Sequence, residues 1–572
     1  MGKTFLNQTS LASGEITPGL FGRVDRDIYT NGAAKLRNLY VTPLGGVRRR
    51  EGTKYIANTY TDLKPRFVSF QFNIDQTYLM VFTPARVDIY RDDALVATVT
   101  AAPVTTLTAD IIASMKWTQS LNTLIIVHPD LQPIQILRVD DATWTPSSIT
   151  LLNIPTYDFG SGAEAVWSVT RGWPKSATFW NQRLWFGGSK SRPATVWGSK
   201  IAGFFDFDLG AAAAADAIEV SIDDDQVNAI ENIFGGRTLQ VFSQSSEYFS
   251  PVTLDQTATP TTFKLERGTR HGSSAVFPVS SDGATIFVER SGRVVREYVF
   301  LDVEQSYVSD DISFLSEHLI QTPVSVAIKK SSDRLPGEFT YFCNTDGTIA
   351  VLNRRRAQNF IAWSLFETDG DYEDLAIVGD DLYVCCKRSI DGSDVRFIEK
   401  FSWDYYTDAG IILSAASTTS WTGLTYLEGK DVYVRSQDGY PLLENTVTGG
   451  AITTETAQTS IEVGLGWSPV VRSLPPENPT GAGRGTTGEK RRIVQVNFNL
   501  KDSNGFTVST ERQDIRVSLL QVGDIYLNQA PPTFSGWKRV PITGYRRDPY
   551  IEITQDAPVN FELLSMTMEV TT

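Results

Sequence analysis

Short apolar runs recur along the first two thirds of the chain, each entered through a turn signal. They are TYLMVF from Thr77, TLIIV from Thr123, RLWFG from Arg183, TLQVF from Thr238, TIFVE from Thr285, FTYFC from Phe339 and LYVCC from Leu382. Most follow Asn122, Gly235-Gly236, Asp282-Gly283, Asp380-Asp381 or similar groups, residue types that enter turns at low cost. Runs this short, rich in β-branched and aromatic residues, read as strands. A partner strand usually follows, as in VDIYR from Val87, IQILRV from Ile134, TVWGSK from Thr195 and VVREYVF from Val294. Recurrence at intervals of about 50 residues, near the length of a four-stranded blade, predicts a β-propeller of about six or seven blades over residues 61–400. The intervals are too uneven for a strict WD-type repeat, and an open stack of sandwiches is the alternative.

The flanks differ. Gly14, Pro18, Gly19 and Gly22 punctuate an extended N-terminal arm within residues 1–60. Loosely spaced Ile28, Leu36 and Leu39 predict one or two helical turns between 27 and 39. Leu39–Val41, the turn Pro43-Leu44-Gly45-Gly46 and residues 47–55 then read as a strand pair. Residues 110–115 predict one short helical turn, and the alanine run at 210–217 a loop or single turn. Beyond Phe401, the alternating segments DVYVRSQDGYPL, GAITT and TSIEVGLGW, with 492–500, 515–522 and 550–570, predict a C-terminal antiparallel barrel or sandwich over 401–572. A Pro/Gly-rich loop interrupts it at 475–488.

Composition fits a mainly β, multidomain protein: hydrophobic residues are 41%, charged 21% and aromatic 11%, with 43 Gly and 26 Pro, which excludes wholesale disorder. A net charge of −14 argues against nonspecific nucleic-acid binding, which needs a surface excess of Lys and Arg. Three cysteines cannot close a disulfide framework and are expected to be reduced. No signal peptide, lipid anchor or membrane span is expected, so the reading is a soluble product made in a cytoplasm.

Candidate chemistry is sparse. His128, His271 and His318 have no second ligand at a metal spacing. Asp223-Asp224-Asp225 supplies hard oxygens for Ca²⁺ but lacks the glycine and distal glutamate of an EF-hand, and a solvated turn is the simpler reading. In 483–490, Glu489 stands where a P-loop needs its lysine. No G-x-S-x-G elbow occurs. No catalytic, cofactor or metal residue is therefore assigned. Two arginine clusters remain, Arg48-Arg49-Arg50 and Arg354-Arg355-Arg356. Either they are solvated turns or blade edges, or their planar forks pair with carboxylates of a neighbouring subunit.

The arm core GEITPGLFGRVD from Gly14 and the strand pair NLYVTPLGGVRRREGTKY from Asn38 resemble the N-terminus of the tail nozzle (tail tubular protein B-like) proteins of short-tailed bacteriophages. The resemblance continues through GTRHGSSAVFPV from Gly268, VERSGRVVREYVF from Val288, KRSIDGSDVRFIEKF from Lys387, VGLGWSPVVRSLP from Val463 and GYRRDPYIEITQDAPVNFELLSMTMEV from Gly544. Glu51 departs from it, since proline is expected there. The resemblance implies a structural virion protein without enzymatic activity. Its copies would form a homo-hexameric ring in the virion tail, below the portal and its adaptor and with tail fibres or a needle as further partners. Double-stranded DNA would be retained and later conducted through the channel without specific binding. The alternative from another class is a soluble propeller hydrolase or carbohydrate-binding protein, with Trp144, Trp167, Trp173 and Trp180 stacking on sugars.

Overall fold

A computed structural model describes residues 3–160, 162–224, 228–252, 256–332, 334–436, 438–477, 488, 490–520 and 531–571. Among the described residues, seven four-stranded antiparallel units succeed one another at 66–99, 116–148, 176–221, 230–269, 279–311, 323–366 and 371–402, the last completed by Gly52–Asn58. They are the blades of a propeller. The first strands of blades two and three, three and four, five and six, and six and seven lie against one another around a central tunnel, and the first strand of blade seven, Asp371–Val378, packs on that of blade one, Arg66–Gln71. Each of the seven apolar runs is the second strand of a blade. Such a strand has neighbouring blades on both faces, which is why Arg183–Gly187, Leu239–Ser243 and Ala284–Val288 are buried at every position and do not alternate.

Large aromatic rings fill the spaces between blades. Phe70 and Tyr78 of blade one meet Trp144 of blade two edge-on at 4.9 and 5.2 Å. Trp167 packs on Phe186, Trp197 and Phe207. Trp144, Trp167 and Trp180 are buried, and Trp173 packs half-buried against the cluster that holds Trp167. Trp144, Trp167 and Trp180 are core residues, so the sugar-stacking role considered for them does not hold.

The ring is closed by sequence-distant strands. Gly52–Asn58 pairs antiparallel with Ser393–Ser402 as the outer strand of blade seven, from Ser402 opposite Gly52 to Phe397 opposite Asn58. The chain then enters blade one. Gly410, in the long strand Asp408–Thr422, in turn pairs with Lys54, and that strand forms a hairpin with Ala451–Leu465.

The remaining strands form a sandwich from both ends of the chain. One sheet contains Leu39–Val41, Val47–Arg49, Glu562–Thr571, Arg492–Ser503 and Phe534–Pro541, with Lys3–Gln8 paired to Glu562–Thr571. The other continues blade six through Gly32–Arg37, Val470–Ser473, Glu552–Thr554, Phe506–Thr510 and Gln513–Val517. Leu36, Leu39, Val47, Val496, Phe498, Val508, Leu563 and Met566 are buried between them.

Two expectations change here and one is sharpened. Residues 1–60 are not a free arm: Leu11, Glu15 and Ile16 are buried, because this segment supplies edge strands that the C-terminal sheets lack. The one or two helical turns expected between 27 and 39 are a single turn, Asp27–Thr30, and the rest of that stretch holds the strand Gly32–Arg37, paired on both sides. The divisions at 60 and 400 fall within continuous sheets, since Gly52–Asn58 belongs to blade seven and residues 3–49 to the sandwich. The loop at 475–488 and the P-loop-like 483–490 lie mostly outside the described residues.

Candidate functional site at the propeller–sandwich joint

The turn that begins the site is set by sequence. Thr42 accepts from Gly45 and donates to the Gly46 carbonyl, and Gly45 takes φ +94°, which glycine adopts without a side-chain penalty. The hairpin aims Val47–Arg49 into the sandwich. The next residues, Arg50 to Thr53, cross to blade seven.

Arg50 and Asp408 are both fully buried and joined by a two-pronged ion pair at 2.9 and 2.7 Å. The other Arg50 donors reach Asn38 Oδ1 at 3.0 Å and the Glu51 and Glu367 carbonyls at 2.8 and 3.1 Å, so all five N–H groups are satisfied. Burial pushes the Asp408 carboxyl upward, but Arg50 and Arg388 outweigh it and hold the group below its ordinary range. Thr368 adds a hydrogen bond to Asp408 at 2.7 Å. A second buried fork, Arg388 on Glu399 at 2.7 and 2.9 Å, lies one step further into blade seven. Thr53 donates to Glu399 and, at 3.4 Å, approaches Asp408, linking the two pairs.

Arg49 ties the same joint to the sandwich. It donates to Gln555 Oε1 at 3.1 Å and to the carbonyls of Ala557, Val559 and Tyr406 at 2.8 to 3.1 Å. Burial and the adjacent Arg50 charge push its guanidinium down to about 9. Trp467 stacks on both guanidinium groups, 4.0 Å from Arg49 and 3.9 Å from Arg50. A buried charge network of this kind costs desolvation energy and specifies one geometry, because any shift leaves charges unpaired.

Arg49 and Arg50 are therefore not surface residues waiting for a neighbour's carboxylates: Arg50 pairs with a carboxylate of its own chain, and Arg49 bonds an amide oxygen and three carbonyls of it. Arg48 is half-buried over Trp403 at 4.4 Å and donates to the Arg334 carbonyl. The second cluster stays apart from the first. Arg354 and Arg356 both reach Glu297 of blade five, the latter at 3.3 Å, while Arg355 makes no ion pair or side-chain hydrogen bond among the described residues. Glu51, where the resemblance expects proline, is buried 3.5 Å from Lys329.

The other candidates have structural partners. Asp224 accepts from Arg267 at 2.8 Å and Tyr248 at 2.8 Å, while Asp225 lies outside the described residues. His128 accepts from the Asp130 N–H and meets Ser114, and His318 meets buried Glu15 at 2.9 Å. Among the described residues no group of three or more His, Cys, Asp or Glu is arranged to hold a metal ion. Asp408, Glu399, Arg388 and Trp467 escaped the sequence reading because a charged residue facing inward on a strand looks like one facing solvent until its partner strand is known.

No family model matches this chain, and no curated protein does. It is a seven-bladed β-propeller protein. That assignment follows from the strand pairing of the chain itself. Solved propellers are partly similar: RRP9 WD40 repeats at 8% identity, covering 62% of this chain and 99% of that one with TM-score 0.39; U3-55K at 8%, covering 61% and 99% with TM-score 0.38; and the Cps50 (Swd1) β-propeller domain of Myceliophteria thermophila at 10%, covering 61% and 99% with TM-score 0.38.

Proposed function

We propose that this propeller protein is a subunit of a bacteriophage tail nozzle, a structural component of the virion tail made in the host bacterial cytoplasm. Six copies form a ring around the DNA exit channel, below the portal and adaptor. One observation carries the reading. Four of the segments that resemble nozzle proteins, hundreds of residues apart in sequence, meet at one buried joint: Asn38, Arg49, Arg50 and Thr53 from the first, Arg388 and Glu399 from 387–401, Trp467 from 463–475, and Gln555 from 544–570. The segments at 268–279 and 288–300 lie in blades four and five, outside it.

A joint of buried, paired charges, with every Arg50 donor bonded, suits a mechanical part. It fixes the propeller on the sandwich with directional bonds, so that load on one is carried to the other without rotation. The net charge of −14 per chain suits a conduit, since a basic wall would gain counterion-release energy at every phosphate and hold the duplex. The reading assigns no enzymatic activity and no cofactor. Immunogold labelling of virions carrying this chain tests it. Label at the distal end of a short tail is expected, and label on the capsid, or none on intact particles, would refute it.

A further inference from the structure

The tunnel of the propeller contains a cavity of 680 Å³ lined by strands of blades one, two, six and seven and by Phe277, which precedes blade five. Trp117 and Phe277, both half-buried, stand with ring centroids 4.5 Å apart at 57°. Around them are polar groups with unspent hydrogen-bonding capacity. The hydroxyls of Ser69 and Thr118, the side-chain amide of Gln71 and the indole N–H of Trp117 make no hydrogen bond to any described residue. The charges nearby are paired, buried or matched: Arg66, over Trp117 at 5.5 Å, is 3.5 Å from buried Asp374; buried Lys116, over Phe277 at 4.3 Å, donates to the Ala275 carbonyl; and the lining adds one lysine, Lys330, and one aspartate, Asp380.

We propose that this cavity binds a neutral saccharide. Sugars present apolar C–H faces and a rim of hydroxyls, which match an aromatic pair bordered by uncharged donors and acceptors. A charged ligand would find no unpaired opposite charge except Lys330 and Asp380, which offset each other, and a wholly apolar one would leave the half-buried polar groups of Ser69, Trp117 and Thr118 unpaired. The volume lies in the range of small-molecule sites and holds a disaccharide with ordered water. The site uses none of the tryptophans first considered for sugar stacking. It is independent of the nozzle reading, because a ring subunit and a free propeller could both carry it.

The test is a glycan array of neutral and acidic oligosaccharides probed with the full chain, with hits measured by saturation-transfer NMR. Binding of one or more neutral glycans is expected, with transfer to ring C–H protons. Trp117→Ala should weaken it at least about tenfold. Because Trp117 also packs on the core shared by blades one and two, Gln71→Ala and Thr118→Val form a second set that removes hydrogen bonds without opening the core. Each should weaken binding several-fold with an unchanged Tm. No neutral binder on the array, binding indifferent to all three substitutions, or binding restricted to sulfated or carboxylated glycans would each overturn the proposal.

Discussion

Substituting Arg50→Met removes the fork that neutralises Asp408 and keeps most of the side-chain volume. Asp408 is fully buried, and in the variant it retains only Thr368 at 2.7 Å and the longer approach of Thr53. Losing one partner of a buried pair costs about 3–5 kcal/mol at neutral pH, because the remaining charge has no water and no directly paired counter-ion. For a cooperative unit of about 200 residues this lowers Tm by on the order of 10 °C. The pH dependence identifies the cause. In the wild type the folded Asp408 carboxyl lies below its unfolded value. Its stabilisation is therefore present above the unfolded carboxylate range, near about pH 4, and is lost only as pH falls through the lower folded value. In Arg50→Met burial is opposed only by the Arg388 charge and the Thr368 hydrogen bond, so the carboxyl rises, protonation relieves the buried charge and the deficit should shrink between pH 7.5 and 5. Arg50→Met/Asp408→Leu should recover most of the loss at pH 7.5, since replacing a buried pair by apolar groups is often neutral. Scanning calorimetry of the three variants at both pH values gives the result. A deficit under about 1 kcal/mol, or one that does not change with pH, would refute the claim that the joint is held by this pair.

Burial pushes the Lys116 ammonium from its ordinary 10.5 down to about 7. Its charge penalty is thus full below pH 7 and relieved between 7 and 10.5, so wild type should gain on Lys116→Met as pH rises through that window, read as the difference in Tm. A Cβ at Gly52 would fall inside contact distance of the Thr407 backbone, so Gly52→Ala should displace the strand that closes the propeller and lower stability by at least about 1–3 kcal/mol, measured by urea unfolding. Cys343, Cys385 and Cys386 are buried and burial pushes all three thiols up, so a thiol reagent should label none in native protein at neutral pH and all three after denaturation.

The propeller was legible because its second strands are sandwiched between neighbouring blades and so appear as unbroken apolar runs. Their seven starting points gave the period and the count to within one blade. The closure was not legible. Nothing local in Gly52–Asn58 marks it as the outer strand of a blade whose other strands begin at Asp371, since pairing across more than 300 residues leaves no periodicity in either partner. The same holds for the strand Gly32–Arg37: loosely spaced Ile28, Leu36 and Leu39 pointed to one or two helical turns, of which Asp27–Thr30 forms, but nothing local marked the strand, and Asn38 after it takes φ +57° and resets the phase. The Arg48-Arg49-Arg50 run was visible as a cluster, but adjacent strand residues point to opposite faces and only their partners separate a half-buried arginine from two buried ones. Arg50 needed Asp408, and Arg49 needed Gln555 and the carbonyls around it.

The central claim is that copies of this chain close into a ring. Native mass spectrometry of tails released from virions that carry it tests this most directly. The account predicts a species containing six copies of the 63.3 kDa chain, about 380 kDa before any adaptor or fibre is added, which loses chains stepwise on activation, as a closed cyclic assembly does. A monomer, a dimer or an open series of sizes from intact tails would contradict it.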